Sequence, residues 1–345
     1  MAKFRRLAVF GTATFLLGLL HGALGDRFRS DPALNGRYAA SPSAMPLKGW
    51  LAIAKRAWSE TLDDRLFTIA GAVAFFALLA FVPGLSVLIS VVGLFADPLM
   101  MVEQLNPILA VLPDAVSQLI GEQAARLAAE PAGSLSITLI VSLLVAGWSA
   151  SAAIKALFEA LNIIYEEREK RSFIVFNLAS LAVTVGAVIL LASILFLAAI
   201  LPKLLAFLPF ASSIDTIVTI FRWPILVLFM VGGLAALYRI GPSRAPARMV
   251  WVLPGALIAA ICWAASSAVF SWYVSSLGNY AATYGSLAAV VIFMTWLWLS
   301  ASIVLMGAEL NAELEHQTVE DTTTGAARPM GTRGATVADS VAPNS

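Results

Sequence analysis

An uncharged run from Gly285 to Ala308 turns abruptly into Glu309, Asn311, Glu313 and Glu315. Carboxylates at a helix C-terminus oppose the helix dipole by about 0.3–1 kcal/mol each, so they call for cations. A second apolar stretch offers one. Trp148, Ser151, Lys155, Glu159 and Asn162 recur at three- and four-residue steps and share one helical face. Thr295, Trp298, Ser302, Glu309 and Glu313 do the same on the last stretch. If the two faces meet, Lys155 reaches Glu309, and Glu159, Asn162, Asn311 and Glu313 complete a polar cluster that is either structural or part of a transport path. Arg168, Lys170 and Arg171 are further cations within reach of such a cluster. The competing reading leaves the carboxylates solvated among lipid headgroups. Pro83, Pro224 and Pro254 are candidate hinges, because proline removes a helix hydrogen bond and transporters use broken helices.

Other chemistries lack their residues. The chain has two histidines, His21 and His316, near opposite ends, and one cysteine, Cys262. It contains no H-x-E, H-E-x-x-H or C-x-x-C pairing for zinc and no phosphate-binding G-x-x-x-x-G-K-[ST] loop. A Ser–His pair away from the termini is absent too. The expectation is a protein that is not an enzyme, with no metal, no cofactor and no nucleic-acid partner. A net charge of +1 adds no global pull toward polyanions.

The elements that must position these residues follow from solvent. The chain is 60% hydrophobic and 12% charged, with mean hydropathy +0.86. A soluble domain is about 25% charged. Uncharged runs cover Leu66–Ala96, Pro131–Ile154, Ser172–Pro202, Met249–Val274 and Gly285–Ala308. Thr216–Tyr238 is interrupted only by Arg222. Runs of about 18 residues or more are long enough to span a bilayer, and spanning backbone must satisfy its own hydrogen bonds. The fold class expected is therefore all-α: a polytopic membrane bundle of six transmembrane helices over residues 48–315.

Orientation follows the Lys/Arg count in short loops. Lys48, Lys55, Arg56 and Arg65 precede the first span, Arg168, Lys170 and Arg171 follow the second, and Arg239, Arg244 and Arg248 follow the fourth. The opposite loops offer Arg126, Lys203 and Arg222. Both ends of the core are thus expected in the cytoplasm. In the outer loop, 97–131, Val116, Leu119, Ile120 and Leu127 recur at helical spacing, which predicts amphipathic helix. Residues 1–25 form a basic-then-apolar segment that reads as an anchor, an extra span or a cleaved leader. Residues 26–47 read as a polar linker, and 316–345 as a disordered cytoplasmic tail. "GSL" at 133 and 285, "SAS" at 149 and 300, and "EALN" at 159 against "ELN" at 309 recur in the same order. An internal repeat and the chance recurrence of small residues in membrane helices both account for this.

The segments "DDRLFTIAGAVAFFALLAFVPGLSVLISVVGLF" (Asp63–Phe95), "GWSASAAIKALFEALNIIYEEREKRSF" (Gly147–Phe173) and "YGSLAAVVIFMTWLWLSASIVLMGAELNAELE" (Tyr284–Glu315) resemble the YihY/BrkB family of bacterial inner-membrane proteins. The resemblance covers about residues 50–315, and the closing G-A-E-L-N-A-E-L is its most distinctive part. It implies a six-helix inner-membrane protein. Members have carried a ribonuclease BN label, and one branch a virulence or serum-resistance label. The residues give the ribonuclease label no support. A charge-poor midplane suits a transporter or exporter of a lipidic or amphiphilic molecule. The alternative is a non-transporting scaffold. The lipid bilayer is the expected partner, and self-association stays open.

Overall fold

The computed structural model describes residues 35–93, 121–122, 125, 135–195, 211–276 and 287–342. Among them seven α-helices follow in order: α1 (Leu47–Asp63), α2 (Leu66–Gly93), α3 (Leu135–Ile164), α4 (Phe173–Leu195), α5 (Ala211–Ile240), α6 (Met249–Ser276) and α7 (Ala288–His316). No strand occurs among the described residues. A single isolated bridge joins Ala247 and Thr323. The segment 1–34 and most of the outer loop 97–131 lie outside the described residues. Of that loop, residues 121–122 and 125 are helical.

Four stretches are long and apolar enough to cross a membrane: Leu144–Ile164 in α3, Phe173–Leu190 in α4, all of α6 and all of α7. α1 and the start of α2 pass together as a fifth, but a 66° bend divides them. In α5 the apolar stretch is the shorter Pro224–Ile240. The described residues thus hold four candidate spans, or up to five, against the six expected. The bend sits at Asp64–Arg65, where Arg65 adopts a left-handed φ of 54°. The three candidate hinge prolines lie inside α2, α5 and α6, each assigned as one helix.

α2 packs along α3, α6 along α7, and α7 also against α2 and α1. The main core is built largely of small side chains. Ala70, Ala160, Ala235, Ala256, Ala260, Ala301, Ala308 and Ala312 are buried together with Leu161, Tyr165, Tyr238 and Leu305. Small residues let membrane helices approach closely. α6 and α7 approach closely at Gly255 and Gly307, where a Cβ on Gly255 would overlap the Gly307 carbonyl oxygen. The outer faces are the reverse. On α4, Phe173, Ile174, Leu178, Leu181 and Ile189 stand exposed, an apolar surface that lipid would cover.

The expectation of a disordered tail does not hold for residues 317–342. Thr318, Thr322, Arg333, Ala335, Val337 and Ala338 are buried. The Arg333 guanidinium donates to the carbonyls of Glu320 (3.0 Å), Ala338 (2.6 Å), Val319 (2.7 Å) and Arg328 (3.2 Å). Low hydrophobicity predicted disorder because it counts apolar surface. Here one buried cation organises the loop through its backbone acceptors. The tail also pairs with the α5–α6 connection, Arg248 N–H to Thr322 O at 2.8 Å and Ala245 N–H to Gly334 O at 3.0 Å. The linker reading is corrected similarly for residues 35–46, where Ala39 and Met45 pack with Ile53, Trp251 and Leu314.

Candidate functional site

The acidic end of α7 is buried, so each of its polar side chains needs a partner. Glu309, Asn311, Glu313 and Glu315 are at most 6% exposed. At about 100° per residue, Glu309 and Glu313 share one face of α7, and Asn311 and Glu315 share a roughly opposite one. Glu313 faces α1, where Arg56 Nε donates to its carboxylate at 2.5 Å and the same guanidinium reaches Gln317 at 2.7 Å. Glu315 faces the α5–α6 connection. There Arg244 forms a two-pronged pair with it at 2.5 and 3.1 Å, and Thr322 of the tail donates to it at 2.6 Å. The Arg244 and Glu315 side chains are 1% and 0% exposed. Arg244 also stacks 4.1 Å above the Tyr165 ring.

Asn311 faces α6. It accepts from Gly255 N–H at 2.8 Å and donates to Val252 O at 2.9 Å. The amide thus locks onto the turn around Pro254. Asn162 does the same at the end of α3. It accepts from Ser243 N–H at 2.7 Å and donates to Glu169 at 3.0 Å, joining two loops. Glu169 in turn is held by Arg171 at 2.7 Å, and Arg171 stacks on Phe158 and Phe176. These bonds to Arg171 draw the Glu169 carboxyl down to about 2, against the opposing effect of burial.

The six candidates therefore do not form one cluster. No hydrogen bond or ion pair among the described residues joins Lys155 to Glu309, and Glu159 is exposed. Glu309 is buried with its Oε2 unpartnered. The physical reason is facing. α7 turns its carboxylates toward α1 and the α5–α6 connection, where arginines wait, and α3 brings Asn162 to a loop instead. The cations that spacing alone missed are Arg56 and Arg244. In the sequence both read only as topology signals. Three carboxylates on one buried helix end demand more than one cation, and that count was the available signal.

Chemically, the arrangement is a clasp. One fully buried ion pair, one partly buried ion pair and two backbone-binding amides tie α1, α3, α6, α7 and the tail at one end of the bundle. Among the described residues no group of three or more His, Cys, Asp or Glu is placed to hold a metal ion.

Comparison with known proteins agrees with helices long and apolar enough to cross a membrane. Residues 57–331 match the family described as Virulence factor BrkB. The chain is 34% identical over 188 residues to the putative ribonuclease-like protein YfkH of Bacillus subtilis, covering 53% of this chain and 66% of that one. It is 28% identical over 274 residues to a UPF0761 membrane protein of Aromatoleum aromaticum, covering 78% and 65%. A UPF0761 membrane protein of Vibrio atlanticus is 28% identical over 261 residues, covering 74% and 79%. The chain thus spans just under two thirds of the length of the first two relatives. No solved structure matches it. With four fifths of its length matched and its long helices clad in apolar side chains, the chain belongs to the Virulence factor BrkB family of membrane proteins.

Proposed function

We propose that this chain is a bacterial inner-membrane protein with six spans and cytoplasmic core termini, and that it moves a lipidic or amphiphilic molecule. One observation carries the reading. α2, α4, α6 and the part of α7 up to Ala308 contain no Asp, Glu, Lys or Arg, while the buried ion pairs gather at one end. A path along such helices offers no charge to a hydrated ion, but it suits an acyl chain. The Lys/Arg loop bias supports the orientation. The test is dithionite quenching of fluorescent phospholipid in proteoliposomes. Transbilayer movement above protein-free vesicles is expected. Its absence with phospholipids and with detergent-like amphiphiles would leave the scaffold reading.

The scaffold reading has an observation of its own. The tail is folded and packs on the α5–α6 connection beside the clasp, the kind of surface a soluble partner could use. We further propose that the chain is not an enzyme, takes no cofactor and binds no nucleic acid. Purified protein should leave RNA intact with any divalent metal added. A co-purifying activity lost on a point mutation in this chain would overturn that.

A further inference from the structure

α1 is the described helix that neither the span count nor the clasp explains completely. Its buried face, Gly49, Ile53, Ala57 and Thr61, packs on the bundle. A second face is also apolar. Leu47, Leu51, Trp58 and Leu62 are 75%, 64%, 53% and 51% exposed. At about 100° per residue these four fall within about 60° of one another, so they form one stripe. Lys48 and Lys55 lie immediately along one edge of that stripe, and both are exposed. Beyond them come the polar side chains of Ser59 and Asp63, also exposed.

The setting of this stripe identifies its occupant. α1 turns 66° away from α2 at the point where the uncharged run of α2 begins, so with α2 along the membrane normal α1 travels far more across the surface than through it. Trp58 packs edge-on against Phe67 of α2 (6.3 Å), and Phe67 against Trp298 of α7 (6.0 Å). Trp298 Nε1 donates to Phe67 O. Tryptophan concentrates at the membrane–water boundary. On α2, Phe75 and Leu79 are also exposed. An amphipathic helix with a basic edge in this position binds by apolar burial plus attraction to anionic headgroups.

We propose that α1 is an interfacial helix that seats Leu47, Leu51, Trp58 and Leu62 in the headgroup layer of the leaflet at the clasp end, with Lys48 and Lys55 binding anionic phospholipid. The proposal does not depend on which molecule the protein moves or on which side of the membrane the clasp lies. Arg56, on the same helix, holds Glu313 of α7. Lipid composition at this surface therefore reaches the clasp directly.

The test uses the full-length chain with Cys262→Ser, carrying a nitroxide at Leu51→Cys or at Asp63→Cys, in nanodiscs. The discs contain phosphatidylcholine alone or mixed with phosphatidylglycerol. Both positions are exposed, so the labels leave the packing intact. They point about 120° apart around the helix. Expected is a label at 51 that collides with oxygen in preference to a water-soluble nickel chelate, and the reverse at 63. Phosphatidylglycerol should lower nickel access at 51 severalfold, and Lys48→Gln with Lys55→Gln should abolish that dependence while keeping the contrast between 51 and 63. Equal nickel access at 51 and 63 would overturn the interfacial placement. Identical access at 51 with and without phosphatidylglycerol would overturn the headgroup binding.

Discussion

Asp64 stands in the turn before α2, partly buried and beside other acids. Burial, with the carboxylates of Glu60, Glu166 and Asp63, pushes its carboxyl up to about 6. A raised pKa in the folded state means that folding takes up protons. Stability from this group is complete below its ordinary value and is lost as pH rises through about 6. Asp64→Asn should therefore raise thermal stability at pH 8, by about 1–2 kcal/mol after allowance for solvent screening. The gain should vanish near pH 4. A gain that persists at pH 4 would mean that packing, not charge, drives the change. The Arg244–Glu315 pair behaves differently because it is fully buried. Arg244→Met leaves a lone buried carboxylate and should cost about 3–5 kcal/mol. Adding Glu315→Gln should recover part of that loss in detergent unfolding. Strict additivity would show that the two side chains act separately.

At the scale of elements, the α6–α7 crossing is set by two glycines and an amide. A Cβ on Gly255 would overlap both Gly307 O and Asn311 Oδ1, and neither a carbonyl nor a doubly bonded amide can swing away. Gly255→Ala should cost about 1–3 kcal/mol as overpacking. Gly71→Ala in α2 is the control. Nothing lies within 4 Å of the added Cβ there, so it should be neutral or slightly stabilising. Equal melting temperatures for the two variants would refute the close crossing. α3 ends with a similar economy. Glu166 adopts φ 52°, and the Glu167 N–H returns to Asn162 O at 2.7 Å, closing the helix end through a left-handed residue.

For the whole molecule, the tail is part of the fold. Residues 317–342 cover the buried Arg244–Glu315 pair, and they hold their shape through Arg333 and through Asp339. Burial opposes ionisation of Asp339, but amide donors from Arg333, Gly331 and Gly334 hold it below its ordinary value. Arg333→Leu would strand four carbonyls at once. Amide exchange over 319–342 should accelerate by at least about tenfold, given roughly 1.5–3 kcal/mol for a charge-assisted bond. Exchange in α6 should change far less. Unchanged protection of the tail would show that its apolar contacts suffice without the arginine.

The sequence alone determined the solvent and the element type. Uncharged runs such as Met249–Val274 and Gly285–Ala308 can only be helices clad in lipid or protein, because their backbone has nowhere else to bond. It also marked the acidic end of α7 as the polar focus. Spacing along one helix says which residues share a face, but not which neighbour that face meets. Lys155 and Glu309 each suited the other by spacing, yet the partners in the fold are Arg56 for Glu313 and Arg244 for Glu315. Those arginines lie 257 and 71 positions away from the carboxylates they hold. Only the packing of α1 and the α5–α6 connection against α7 brings them there. The same holds for the tail. Its composition carries too little apolar surface to announce a fold, and its order comes from long-range hydrogen bonds that exist only once the bundle has formed.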